Sequence, residues 1–150
     1  MLQFLDPQPA LRELQIEAFQ PVCQLLRDSF GLVYVFEDSL ATAANEENIA
    51  VIQSLAEEMD PRTLLVLDTM ANPLKSLGLA LLVCAEKFSA EEALRLSRLE
   101  ESFQAARFGL IEEFHGLSAA EVLTKLHALR VYGAALGVGG LPLAPRPVQS

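Results

Sequence analysis

Histidine and cysteine are scarce in this chain, two of each among 150 residues. His115 and His127 stand in no metal-ligand spacing such as HxxxH, and the cysteines form no zinc pattern. Cys23 and Cys84 lie far apart, each flanked by apolar residues at helical spacing, so both read as free, buried thiols that pack as small hydrophobes. That usage points to a reducing compartment. Positive charge is also short: 11 Lys and Arg against 20 Asp and Glu leave a net charge of −9, which argues against nucleic acid as a direct partner. The longest apolar run, Leu77 to Ala85, falls well under the roughly 20 residues a membrane-spanning helix needs, so no membrane insertion is expected and the chain reads as soluble. Its start, MLQFLDPQPALRE, lacks both the basic-then-apolar order of a signal peptide and the Arg and Ser content of a transit peptide. GVGG near Val138 follows a helix instead of joining a strand to one, so a phosphate cradle is not expected there. No internal repeat is present.

What the chain does have is apolar content: 51% hydrophobic residues and a mean hydropathy of +0.30, enough for one domain with its own core. Periodicity predicts a mainly α fold, a helical bundle of about five helices with at most one short strand near Leu32–Phe36. Pro9 to Phe30 is helical in pattern, with Leu11, Leu14, Ala18, Val22, Leu25 and Leu26 inward, Pro21 kinking or splitting it and Gly31 stopping it. LVYVF, Leu32 to Phe36, is β-branched and aromatic, yet nothing else in the chain offers a matching run. It is therefore either extended coil or a strand whose partner lies outside the chain. Asp38 to Glu47 reads as a polar connector with Asn45 as an N-cap, and Asn48 to Glu58 as a short helix with Ile49, Ile52, Leu55 and Ala56 inward. Asp60-Pro61 signals a helix start. From there to Lys87 the pattern is apolar nearly all round, the mark of a helix in the middle of a bundle, with a kink expected at Pro73.

The stretch from Ser89 to His115 reads as one long helix around which the rest is organised. Ser89 and Glu92 form a capping box, and Glu91 and Arg95 an i,i+4 pair. Leu96, Leu99, Phe103, Ala106, Leu110 and Phe114 make an inward stripe. Leu94, Glu101, Ala105, Phe108 and Glu112 fall on the opposite side, where carboxylates alternate with an aromatic ring. A solvated face with one stray ring is the plainer reading, and a partner-binding face the favoured one. Ser118 and Glu121 form a second capping box opening a last helix, Ala119 to about Leu136, with Val122, Leu126, Leu129 and Tyr132-Gly133 inward. A flexible Gly- and Pro-rich tail follows at 137–150.

Three polar residues call for a structural role. Lys75, the only basic residue between Arg62 and Lys87, either snorkels to the rim or pairs with a carboxylate of the long helix, Glu100 or Glu101. Arg107 lies near the edge of the inward stripe with Glu100 two turns before it, which suggests a structural ion pair or hydrogen bond. Glu112-Glu113-Phe114-His115 contains one Glu-x-x-His, but no second copy and no matching acids on other helices, so a di-metal centre is not expected.

The run SRLEESFQAARFGLIEEFHG resembles the signature of the assembly chaperones specific for the α subunit of the ATP synthase catalytic head. That family reads Ser-Arg-Leu-Glu/Asp-Glu, an aromatic and Gln, then Trp-Gly, Glu three residues after that Gly, and often His-Asp. Ser97, Arg98, Leu99, Glu100, Glu101, Phe103, Gln104, Gly109, Glu112 and His115 agree with it. Lys75-Ser76 with Leu79-Ala80-Leu81 is similar to the family's preceding helix. Leu14-Gln15, Glu17, Phe19, Pro21 and Phe30-Gly31 are similar to its opening helix, so the match runs in order from about Leu11 to Leu136. Phe19 and Phe108 stand where the family usually has Trp, and Gly116 replaces the Asp after the His. The family's N-terminal β-rich domain has no counterpart, so residues 1–10 are expected to be a linker remnant and 11–136 the helical chaperone domain.

The resemblance implies a non-enzymatic monomer without cofactor, in the mitochondrial matrix or, if bacterial, the cytoplasm. It would hold the unassembled α subunit before that subunit joins its partners. Glu112 matches the family's functional glutamate, and Glu101, Phe108 and Glu113 are the next candidate contacts. Two rival readings remain at this level: a permanent structural subunit of a mitochondrial complex, and a metal enzyme with its site in the bundle core.

Overall fold

Short-range signals set the helix ends at Gly31, Ser76 and Ser89. The structure, a computed structural model, describes residues 3–4, 9–34, 36–37, 46–109, 112–135 and 137; the side chains at 3–4, 36–37, 108 and 112–118 lie outside that description. Of the connector expected from Asp38 to Glu47, residues 38–45 are likewise outside it and Glu46 and Glu47 belong to a helix; of the tail expected at 137–150, residues 138–150 are outside it. Among the described residues the protein is mainly α, with seven helices where the sequence suggested about five, and one two-stranded sheet. It divides into two compact units, residues 1–60 with 140–150, and residues 61–139.

The first unit contains β1 (Gln3–Phe4), α1 (Pro9–Phe30), β2 (Phe36–Glu37) and α2 (Glu46–Glu58). Helix α1 runs through Pro21 without splitting there, so of the two expected outcomes a kink is the one left open. Pro21 and Glu17, whose carbonyl loses its amide partner, are both exposed, so water can take that carbonyl. The buried stripe is Leu11, Gln15, Val22, Leu26 and Phe30, and Leu14 turns outward at 37% exposure. Gly31 ends α1 as expected: at φ 72° its amide donates to the Arg27 carbonyl at 2.9 Å.

Of the expected Leu32–Phe36 strand, residues 32–34 are coil, one of the two readings offered, and only Phe36 enters a strand, which does find a partner within the chain. β2 pairs in parallel with β1, Gln3 opposite Phe36 and Phe4 opposite Glu37, so residues expected to be only a linker supply the second strand. The extended segment before β2 is held from the side by Asn48. Its Nδ2 donates to the Val33 carbonyl at 2.6 Å, and its Oδ1 accepts from the Val33 amide at 2.8 Å. That inward turn of Asn48 fixes the phase of α2. Ile52 and Leu55 are half-buried beneath it, while Ile49, expected inward, is 43% exposed.

The second unit comprises α3 (Pro61–Leu74), α4 (Leu77–Cys84), α5 (Ala90–Ser97), α6 (Leu99–Phe108) and α7 (Glu112–Ala135). The single helix expected from Pro61 to Lys87 is two, and the break lies at Lys75 and not at Pro73. Lys75 takes φ 50°, its amide donating to the Asn72 carbonyl at 3.1 Å and the Ser76 amide to the Ala71 carbonyl at 3.2 Å. Ser76 then accepts from the Leu79 amide at 3.2 Å and caps α4. Two orphaned ends are satisfied within two residues, which is why the chain turns here. Gly78 to Val83 of α4 are all buried, the mid-bundle helix that its all-round apolar pattern implies.

Helix α4 ends by the same device. Glu86 takes φ 57°, with its amide on the Val83 carbonyl at 3.1 Å and the Lys87 amide on the Leu82 carbonyl at 2.9 Å. A left-handed residue with a Cβ costs roughly 1–2 kcal/mol, and Gly returns about 0.5–1 of that to the unfolded chain. Glu86→Gly should therefore stabilise the protein by roughly 0.5–1 kcal/mol, raising Tm by about 1–4 °C in a thermal melt. A lower Tm would show that the Glu86 side chain contributes more than its backbone strain takes away.

The long helix expected from Ser89 to His115 is three pieces. Its start is as read: Ser89 accepts from the Glu92 amide at 3.1 Å, and Glu92 accepts from the Ser89 amide at 3.3 Å. The Ser97 hydroxyl donates to the Leu94 carbonyl at 2.8 Å, and Arg98, at φ −112° and ψ 17°, leaves the helix. Gly109 at φ 90° stops α6. Gly116, expected to end the helix, sits inside α7, and Ser118 lies within α7 instead of opening it. Packing joins α3 to α4, α5 and α7, and α5 to α4 and α7. Leu126 is the fully buried anchor of α7, whereas Tyr132, expected inward, is 49% exposed.

Candidate functional site

The break at Arg98 shifts the phase of the two-sided helix. Leu96 and Leu99 are buried as expected, Phe103 is half-buried and Ala106 is exposed. Leu94, expected on the outer side, is buried. Helix α6 leans on α5 and, of its described side chains, buries only Leu99. Glu100, Glu101, Ser102, Ala106 and Arg107 are exposed. Glu100 and Arg107 thus both lie on the exposed surface of α6. The acids in the first turn and Arg107 in the last both suit the helix dipole.

Lys75 reaches this helix. Its Nζ lies 3.0 Å from Glu101 Oε1, with the side chains 74% and 44% exposed. Of the two readings of Lys75, pairing with Glu101 is the one found, and it is a solvated pair of at most about 1 kcal/mol. Phe108 closes α6 and Glu112 opens α7, with Gly109 between them at a left-handed φ. Glu101, Phe108 and Glu112 thus do not share one helical face. Glu101 and Phe108 stand two turns apart on α6, and Glu112 and Glu113 form the first turn of the next helix. The side chains of Phe108, Glu112 and Glu113 lie outside the described residues.

Two polar features had no counterpart in the sequence reading. His127 Nε2 on α7 lies 3.0 Å from Glu91 Oε1 on α5, linking two helices 36 residues apart in the chain. Hydrogen bonding from the backbone, and then the nearby His127, hold the exposed Glu91 carboxyl below its usual range. Asn48 is the other, 3% exposed and bound twice to Val33. Neither shows a local pattern, since both partners are distant in sequence.

A cleft of about 40 Å³ lies among α3, α4 and α7, lined by Val66, Met70, Cys84, Arg130, Gly133 and others. Ligand pockets run to several hundred Å³, so this one accommodates no substrate of ordinary size. Cys84 there is a free thiol within 3.4 Å of the Met70 sulfur, and burial pushes it up to about 11. Cys23 is also free, half-buried and raised by burial. Among the described residues no group of three His, Cys, Asp or Glu could hold a metal, and no helix is long and apolar enough to cross a membrane. The Glu-x-x-His at Glu112 to His115 falls on side chains outside the description.

No protein-family model matches the chain, and no curated protein matches it by sequence. Solved structures do match. The crystal structure of Atp12 from Paracoccus denitrificans is similar at a TM-score of 0.71 and 25% identity, over 87% of this chain and 56% of that one. An Asp-to-Lys mutant of Paracoccus denitrificans Atp12p matches at a TM-score of 0.72 and 25% identity, over 86% and 55%. The chain thus spans little more than half the length of these solved chains.

Proposed function

We propose, from a sequence pattern and a fold that point to the same family of ATP synthase α-subunit assembly chaperones, that this chain is a helical chaperone module that captures the unassembled α subunit of the catalytic head. The likeness in fold to Atp12 over most of the chain is the observation that carries the reading. The physical character of α6 fits it. An exposed helix with an acidic first turn, on a chain of net charge −9, suits a basic-rimmed apolar surface that aggregates when left uncovered. Phe108 at the end of α6, with Glu112 and Glu113 in the first turn of α7, would supply a desolvated ring and two acids to that surface, and Glu101 a third acid. The role is one of binding, without catalysis or cofactor, by a monomer, in the mitochondrial matrix or in the cytoplasm of a bacterium.

Capture by the purified chain tests this. Isolated α subunit should co-elute with it in near-equimolar complex and stay in solution, isolated β subunit should not, and the mature head should contain none of it. Failure to retain α subunit would remove the chaperone reading. Stoichiometric presence in the mature head would replace it with the permanent-subunit reading.

A further inference from the structure

We infer that Lys75 is an internal stand-in for a basic group of the client, occupying Glu101 in the free protein and giving it up on binding. This rests on the client-binding reading of α6.

Lys75 is not placed by the needs of its turn. It stands at φ 50°, a conformation that favours Gly at the end of a helix. Its ammonium nevertheless crosses to a carboxylate 26 residues further along the chain, at 3.0 Å. Both heads are in water, at 74% and 44% exposure, so the pair is screened and contributes little to holding the fold together. Helix α6 gains its footing through α5 and Leu99. A weak, open pair on a helix that buries only Leu99 among its described side chains is therefore easily exchanged. Its consequence lies in what it does to Glu101: a client cation meets that carboxylate already taken. Solvated pairs of this kind favour the closed form by roughly two- to fivefold, so the competent, open fraction is reduced and the apparent Kd raised by about three- to sixfold. Lys75 thereby tempers a strongly acidic surface. A basic patch that relies on Glu101 is held about three- to sixfold more weakly, and a client that brings further contacts has affinity enough to displace the lysine.

Lys75→Gly is the informative substitution, because it relieves a left-handed residue while it frees Glu101. It should tighten binding of isolated α subunit by about three- to sixfold at low salt, with a steeper loss of affinity as salt rises. In a Glu101→Gln background the same substitution should change nothing. Lys125→Gln removes an equal charge from an exposed position on α7 and should not reproduce the gain. Unchanged or weaker binding by Lys75→Gly, or an equal gain from Lys125→Gln, would overturn the inference. Should the unsubstituted chain capture no α subunit, the chaperone reading fails by itself. A hexalysine peptide then serves as the cation probe, and Lys75→Gly must still strengthen its binding in a Glu101-dependent way for the stand-in to survive.

Discussion

Glu112→Lys is expected to weaken capture of isolated α subunit by roughly 30-fold or more while leaving helical content unchanged. Glu112 is the first residue of α7, and an acid in the first turn sits favourably on the positive end of the helix dipole. Reversing its charge costs the fold about 0.3–1 kcal/mol at such a site, a shift of a few degrees in Tm. At a desolvated contact the loss is larger, about 2–5 kcal/mol for one partner of a close charge pair, and each 1.4 kcal/mol is tenfold in Kd. The two effects are separable by one circular dichroism melt and one titration. Glu112→Gln should fall between the two proteins, since it removes the attraction without adding repulsion. Normal capture by Glu112→Lys would mean that the client touches another part of the molecule, and Glu112 would lose its proposed role.

The turn at Gly109 shows where a sequence stops speaking for its structure. Ser89 with Glu92, Pro61 after Asp60, and Gly31 were legible because each acts on backbone groups within a few residues of itself. Gly109 and Gly116 are the same residue type seven positions apart, and only Gly109 ends a helix. Periodicity ran through both Arg98 and Gly109 because the apolar spacing survives a break even though the phase does not. Lys75 and Glu86 carried no sign of a left-handed turn, being ordinary helix formers; the capping Ser76 was the signal available, and its cap on Leu79 went unread. The site was partly legible. A Lys75 pair with Glu100 or Glu101 could be framed from charge alone, but choosing Glu101 needed coordinates. Placing Glu101, Phe108 and Glu112 on one face assumed a continuous helix that the chain does not form.

Asn48→Ala should be a strongly damaging substitution for a polar residue, at roughly 2–4 kcal/mol, or a fall in Tm of about 5–15 °C. Asn48 is 3% exposed, and its amide serves both backbone groups of Val33, at 2.6 and 2.8 Å. One side chain therefore does for Val33 what a neighbouring strand would do, and it holds the segment that leads into β2. Truncation leaves a donor and an acceptor without partners in a part-buried place, each costing about 1–3 kcal/mol unless water enters. Asn48→Asp separates the two bonds. The ionised acid still accepts from the Val33 amide but sets a charge against the Val33 carbonyl, whereas the protonated acid can donate to it. The folded protein thus favours the protonated form and raises the pKa of the new Asp. Its stabilising contribution should be present at acid pH and disappear as pH rises through that raised value, so Asn48→Asp should approach the parent protein on acidification. Equal stability of parent and Asn48→Ala in a denaturant titration would show that the extended segment is held by its buried Leu32 alone, and that the amide bracket is incidental.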